Sequence, residues 1–70
     1  MNEYRYYYKY AEIDIETGEC IGVMTRTSPA SNPALIPIEV EDYDYLGKYY
    51  LNGSWYEDAA GTIPWESPLL

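Results

Sequence analysis

Between two runs of strand-forming residues, Lys48-Tyr49-Tyr50-Leu51 and Ser54-Trp55-Tyr56-Glu57, stands the pair Asn52-Gly53. A two-residue turn that follows the twist of its strands needs a positive φ at both central positions, and Asn-Gly supplies that with little strain. The pattern predicts a hairpin over residues 48–57. Tyr50 and Trp55 then face each other across the ladder, where two rings can pair. An isolated hairpin is marginal in water, so the remaining residues have to extend or cover this one.

The rest of the sequence supplies that material. Residues 4–15 read as a long strand in which Tyr4, Tyr6, Tyr8 and Tyr10 alternate on one face, with Arg5, Tyr7 and Lys9 on the other. From Ala11 the phase changes: Ala11, Ile13 and Ile15 are apolar, while Glu12 and Asp14 are polar. Either a bulge near Tyr10-Ala11 resets the register or each half packs on a different side; we expect the bulge. Glu16-Thr17-Gly18-Glu19 predicts a three-residue hairpin loop with Gly18 at positive φ. The return strand covers residues 20–27, with Ile21 and Val23 on one face and Cys20 and Met24 on the other. Gly22 inside it marks a close backbone approach or a second bulge.

Residues 28–34 hold two prolines among small polar residues and form a loop. A third strand over residues 35–41 carries Ile36, Ile38 and Val40 on its apolar face. Pro37 has no N–H to donate, which makes this an edge strand or one whose Pro37 side faces solvent. Glu41-Asp42-Tyr43-Asp44-Tyr45-Leu46-Gly47 predicts a tight helical turn with an acidic start and a glycine end. From Asp58 the pattern dissolves. Ala59-Ala60-Gly61-Thr62 reads as a linker, and the proline-broken segment after it needs something to lie on, with Trp65 its natural anchor. The expected fold is all-β: two hairpins and a linking edge strand in one small antiparallel sheet, forming a domain over residues 1–58 with an irregular tail over 59–70.

Ten tyrosines and no phenylalanine say more about how these faces are covered. A phenol ring brings a hydroxyl that needs water or a partner once the ring is covered, so such rings suit half-covered positions. The chain has 70 residues, one cysteine and no histidine, which rules out an internal disulfide and disfavours a structural zinc site. Extra stability for so thin a core is expected from association, including with further copies of the chain. Twelve acidic residues against four basic ones give a net charge of −8, which disfavours direct contact with nucleic acid or an anionic membrane. No stretch approaches the about 20 apolar residues of a membrane-spanning helix. The start Met1-Asn2-Glu3-Tyr4-Arg5 lacks the basic and apolar regions of a secretion signal, which points to folding in a cytoplasm.

No catalytic constellation is legible. Without histidine the usual Ser-His or Cys-His pair cannot form, and a carboxylate beside Cys20 would raise its pKa. Glu39, Glu41, Asp42 and Asp44 lack the spacing of a calcium loop, and a chain this small does not enclose the cleft that paired carboxylates need for glycoside chemistry. We therefore expect no enzyme, no cofactor and no metal. The aromatic surface is the stronger lead, because Tyr and Trp concentrate at protein interfaces. The expected protein-binding residues are Tyr6, Tyr8, Tyr45, Tyr50, Trp55 and Trp65.

Three stretches together resemble short proteins encoded by tailed bacteriophages and prophages of Gram-positive bacteria. They are Tyr8-Lys9-Tyr10-Ala11-Glu12-Ile13-Asp14-Ile15-Glu16-Thr17-Gly18-Glu19-Cys20-Ile21-Gly22-Val23, Ile36-Pro37-Ile38-Glu39-Val40, and Tyr45-Leu46-Gly47-Lys48-Tyr49-Tyr50-Leu51-Asn52-Gly53-Ser54-Trp55. The segment Tyr4-Arg5-Tyr6-Tyr7 and the tail after Asp58 lie outside the likeness. The resemblance implies a non-enzymatic, tail-associated module that docks on larger phage structural proteins, present in the host cytoplasm during assembly and then in the virion. Two other readings stay open. One is an acidic inhibitor that imitates nucleic acid against a basic host defence protein, and the other is a carbohydrate-binding module.

Overall fold

The computed structural model describes residues 7–70; the expected strand positions of Tyr4 to Tyr6, and Tyr6 as a contact residue, lie outside them. The chain is all-β. Five strands are β1 Tyr8–Ile13, β2 Cys20–Arg26, β3 Leu35–Pro37, β4 Tyr49–Leu51 and β5 Ser54–Tyr56, with a 3-10 turn at Tyr43–Tyr45 before β4. They form two antiparallel sheets, one of order β2-β1-β3 and one of β4-β5. The single sheet expected from sequence is thus divided, but backbone hydrogen bonds stitch the two parts together. Cys20 N–H donates to the Lys48 carbonyl at 2.8 Å, Gly47 N–H to that of Cys20 at 3.0 Å, and Tyr50 N–H to that of Gly18 at 2.8 Å.

β1 is the central strand of its sheet, and it has two covered faces. Tyr10 and Ala11 are neighbours in sequence and both are buried. Tyr10 pairs with Met24 and Ala11 with Val23 in unbroken register, so no bulge separates them. The expected bulge at this point is replaced by the alternative: each half packs on a different side. The phenol of Tyr10 accepts the Ala30 N–H at 3.0 Å, so its hydroxyl is tied to the loop after β2. Ala11 turns the other way, into a cluster with Cys20 and Tyr45. The apolar phase changes because the covering changes.

A bulge does occur, further along and on the other strand. Glu12 pairs with Gly22 and Ile13 with Cys20, which leaves Ile21 without a partner. An extra residue resets the alternation of a strand. Cys20 is therefore buried and Val23 packs on the same cluster, while Ile21 is 58% exposed. This corrects the expected face-sharing of Ile21 with Val23. A side chain at Gly22 would meet only ordinary contacts, so the bulge, not close approach, accounts for the irregularity.

The first hairpin loop is four residues long, not three. Asp14 N–H donates to Glu19 O at 2.8 Å and Gly18 N–H to Asp14 O at 2.6 Å, and Ile15 is left exposed beyond the strand end. β3 stops at Pro37, short of the expected seven residues, and lies at the sheet edge as its proline requires. The 3-10 turn begins at Asp42, whose carboxylate accepts the Asp44 N–H at 2.9 Å, and is followed by Gly47 at φ 83°. The second hairpin matches its sequence pattern: Asn52 has φ 52°, Gly53 has φ 84°, and Tyr50 pairs with Trp55.

Gly18 and Gly53 both hold positive φ, but only Gly18 is also enclosed. A Cβ there would lie 2.7 Å from the Tyr50 carbonyl oxygen and 2.9 Å from Leu51 Cδ2, whereas at Gly53 it meets nothing within 4 Å. Gly53→Ala is expected to cost about 1–2 kcal/mol, the left-handed penalty alone. Gly18→Ala adds a backbone collision at the seam between the sheets and should cost clearly more, lowering Tm by at least about 10 °C. Thermal melts followed by circular dichroism check the order; equal losses at the two sites would mean the seam can open freely.

Candidate functional site

The C-terminal segment is built into the fold instead of trailing from it. Asp58 opens a reversal: Gly61 N–H donates to Asp58 O at 3.1 Å, and Gly61 sits at φ 72°. The Asp58 carboxylate accepts the Thr62 N–H at 2.9 Å, the Ile63 N–H at 3.0 Å and the Thr62 hydroxyl. The chain then returns antiparallel to β5. Glu57 N–H donates to Ile63 O at 2.8 Å and Trp65 N–H to Trp55 O at 3.0 Å, with Tyr56 opposite Pro64. The tail is thereby a third row beside β4 and β5. Asp at the first place of a turn and glycine at the fourth is a readable type I signal. The sequence reading of residues 59–62 as a linker passed over it.

This register determines which rings share a face. Directly opposed residues of an antiparallel ladder project to the same side. Tyr50 opposes Trp55, and Trp55 stands opposite Trp65 across the next row. Tyr50, Trp55 and Trp65 therefore run side by side, all half-buried. Tyr45 packs against this row from the 3-10 turn. Its ring meets Trp55 edge-on at 4.9 Å and 67°, and Trp65 at 4.9 Å and 79°; Tyr50 tilts onto Trp55 at 5.1 Å. Such geometry sets the positive edge of one ring against the negative face of another. Lys48 places its ammonium 4.9 Å from the centre of the Trp65 ring while donating to the Asp44 carbonyl at 3.1 Å.

Beyond Trp65 the tail is latched. Ser67 is buried, and its hydroxyl donates to the buried Asp42 carboxylate while accepting the Leu69 N–H at 3.1 Å. Asp42 thus caps the 3-10 turn with one oxygen and holds the tail with the other. Between tail and hairpin lies an open cleft of about 470 Å³ lined by Ser54, Trp55, Pro64, Trp65 and Glu66. Ser54, Pro64 and Glu66 are exposed and the two indoles half-exposed, so the cleft is a shallow, largely aromatic surface whose lining includes one acidic residue.

Of the expected contact residues, Trp55 and Trp65 line this cleft and Tyr50 continues their row. Tyr45 is only 4% exposed and serves as the support beneath them. Tyr8 stands on β1, in the other sheet, and is not part of the constellation. Pro64, Glu66 and Ser67 were missed by the sequence reading, which had no register for the tail.

Cys20 is a core residue. Burial pushes its thiol pKa up and the Glu12 and Glu19 carboxylates add to this, while Sγ donates to the Gly22 carbonyl at 3.2 Å. Burial likewise raises the Tyr45 phenol, with Asp42 and Glu39 contributing. Among the described residues, no group of three or more carboxylates and cysteines is placed to hold a metal ion, and no helix is long and apolar enough to cross a membrane. Comparison with protein-family models, with curated proteins and with solved structures finds no match.

The tail reversal carries a pH dependence. The Thr62 hydroxyl, with the Ile63 and Thr62 N–H groups, holds the Asp58 carboxyl below the usual carboxylate range. A carboxyl whose folded pKa is depressed contributes stability above its unfolded value of about 3.9, and that contribution is lost as pH falls through the folded value. The near-ultraviolet circular dichroism of the tryptophans should hold to about pH 4 and weaken below it. Asp58→Asn, which keeps the acceptor but cannot titrate, should remove that part of the acid transition. An unchanged acid profile in Asp58→Asn would assign the transition to other carboxylates.

Proposed function

We propose that this chain is a non-enzymatic recognition module that binds a protein partner through the Trp55–Trp65 cleft, acting as an accessory component of tailed-phage particles. The observation that supports binding is the preorganised pair of half-exposed indoles. Both are held edge-to-face on one buried tyrosine, so little side-chain freedom remains to be lost when a partner arrives. Rigid aromatic anchors in a partly desolvated setting are the usual source of binding energy at protein interfaces. The phage assignment rests on the resemblance of the segments ending at Val23, Val40 and Trp55. A larger structural protein suits the cleft better than a second copy, because two copies would each bring a net charge of −8.

The test is incorporation. An epitope-tagged chain is produced in cells making the phage that encodes it, and purified particles are probed for the tag. The wild-type chain is expected in the particles. Trp55→Ala, verified as folded by circular dichroism, should reduce incorporation about tenfold or more, in the range of an interface anchor. Because Trp55 also packs on Tyr45, Ser54→Tyr provides a second variant that fills the cleft from an exposed position. Absence of the wild-type chain from particles would end the phage assignment. Normal incorporation of both folded variants would end the role of the cleft.

A further inference from the structure

The cleft has a chemistry that narrows its partner. Its lining carries one charged group, Glu66, and no base; the remaining walls are Trp55, Trp65, Pro64 and the Ser54 hydroxyl. Indole faces attract cations through their quadrupole, tryptophan most strongly among the aromatic residues. Trp65 already holds the Lys48 ammonium 4.9 Å from its centre, which leaves Trp55 as the ring open to an incoming cation. The wider surface acts in the same sense, since twelve acidic residues outnumber four basic ones across the chain. A cationic side chain entering the cleft would meet a ring face, an acidic lining residue and a favourable long-range field.

From this we infer that the occupant of the Trp55–Trp65 cleft is an arginine or lysine side chain on an exposed basic segment of a partner protein. The inference rests on the recognition reading above and specifies its ligand. The guanidinium or ammonium stacks on an indole face while Glu66 accepts its N–H donors. Arginine is the better fit of the two, because its planar group stacks and is weakly hydrated. Neutral proline-rich segments and sugars also use aromatic platforms, but they leave Glu66 and the acidic field without a role.

The experiment uses the full chain labelled with ¹⁵N and a capped seven-residue glycine-serine peptide carrying two arginines. Its controls are the same peptide with citrulline, the uncharged isostere of arginine, a neutral proline-rich peptide and a short oligosaccharide. The indole N–H signals of Trp55 and Trp65 report occupancy of the cleft. The arginine peptide is expected to shift both signals and to bind about threefold or more tighter than the citrulline peptide, as solvent-exposed cation–π and carboxylate contacts predict. Glu66→Gln, a change at an exposed position, should weaken the arginine peptide roughly 1.5- to 5-fold and leave the citrulline peptide unchanged. Raising salt should weaken the first and not the second.

Equal affinity for arginine and citrulline peptides would overturn the inference. So would an arginine peptide whose binding is salt-sensitive but indifferent to Glu66→Gln, since that is generic attraction to an acidic protein. Tighter binding of the proline-rich peptide or the oligosaccharide at the indoles would overturn the cationic occupant while leaving recognition by the cleft in place. If no ligand moves the indole signals, the cationic occupant falls. Recognition itself then stands or falls on particle incorporation of the folded Trp55→Ala and Ser54→Tyr chains.

Discussion

One ring joins the parts of this molecule. Tyr45 lies against Ala11 and Cys20 of the three-stranded sheet, against Trp55 of the second hairpin and against Trp65 of the tail. Each edge-to-face pair contributes about 0.5–1.5 kcal/mol beyond simple burial. A domain of this size has a total stability of only about 3–10 kcal/mol. Two such pairs on one residue are thus a large share of what holds the sheets and the tail together. Burial also explains why a tyrosine here keeps its proton: a phenolate would lose solvation beside the Asp42 and Glu39 carboxylates.

A small chain has to cover its faces with what it has. β1 answers with two covered sides, Tyr10 tied to the loop after β2 and Ala11 turned toward Tyr45. The second hairpin is covered by its own tail, latched by Ser67 on Asp42. No large side chain among the described residues is fully sealed from water: Tyr10 and Tyr45 are buried in a thin interior, and Trp55 and Trp65 pack on it half-covered. That is the setting in which tyrosine outperforms phenylalanine, since a hydroxyl at the surface of a thin core still reaches water or a backbone group. The same arrangement leaves Trp55 and Trp65 rigid but accessible, which is what their proposed role needs.

Local rules were legible in the sequence and long-range ones were not. Asn52-Gly53 and Gly18 were readable because positive φ is a property of the residue itself. The Tyr50–Trp55 pair followed, since a two-residue turn fixes its own register. Pro37 marked an edge for an equally local reason. The shift at Tyr10-Ala11 was misread because period-two patterns report burial only when one face is covered, and β1 has two. The bulge at Ile21 was legible from Gly22, since a glycine inside a strand marks either a bulge or a close backbone approach. Trp55 and Trp65 were recognisable as exposed-prone anchors. Their opposition across a ladder was not, because it depends on the Asp58–Gly61 reversal, and neither was the support that Tyr45 provides from a turn far away in the chain.

The seam between Gly18 and Tyr50 has a kinetic meaning. Each hairpin closes through neighbours in sequence, on the microsecond scale of such ribbons. Joining them demands a contact between the first turn and strand β4, widely spaced along the polypeptide, where a carbonyl must approach a residue without a Cβ. Loop closure over that span precedes the reward of docking, so the encounter of the two ribbons, not the formation of either, sets the pace at which the molecule assembles. Evolution can then vary the outward loops at small kinetic cost while the first hairpin's glycine remains tied to the second hairpin's backbone.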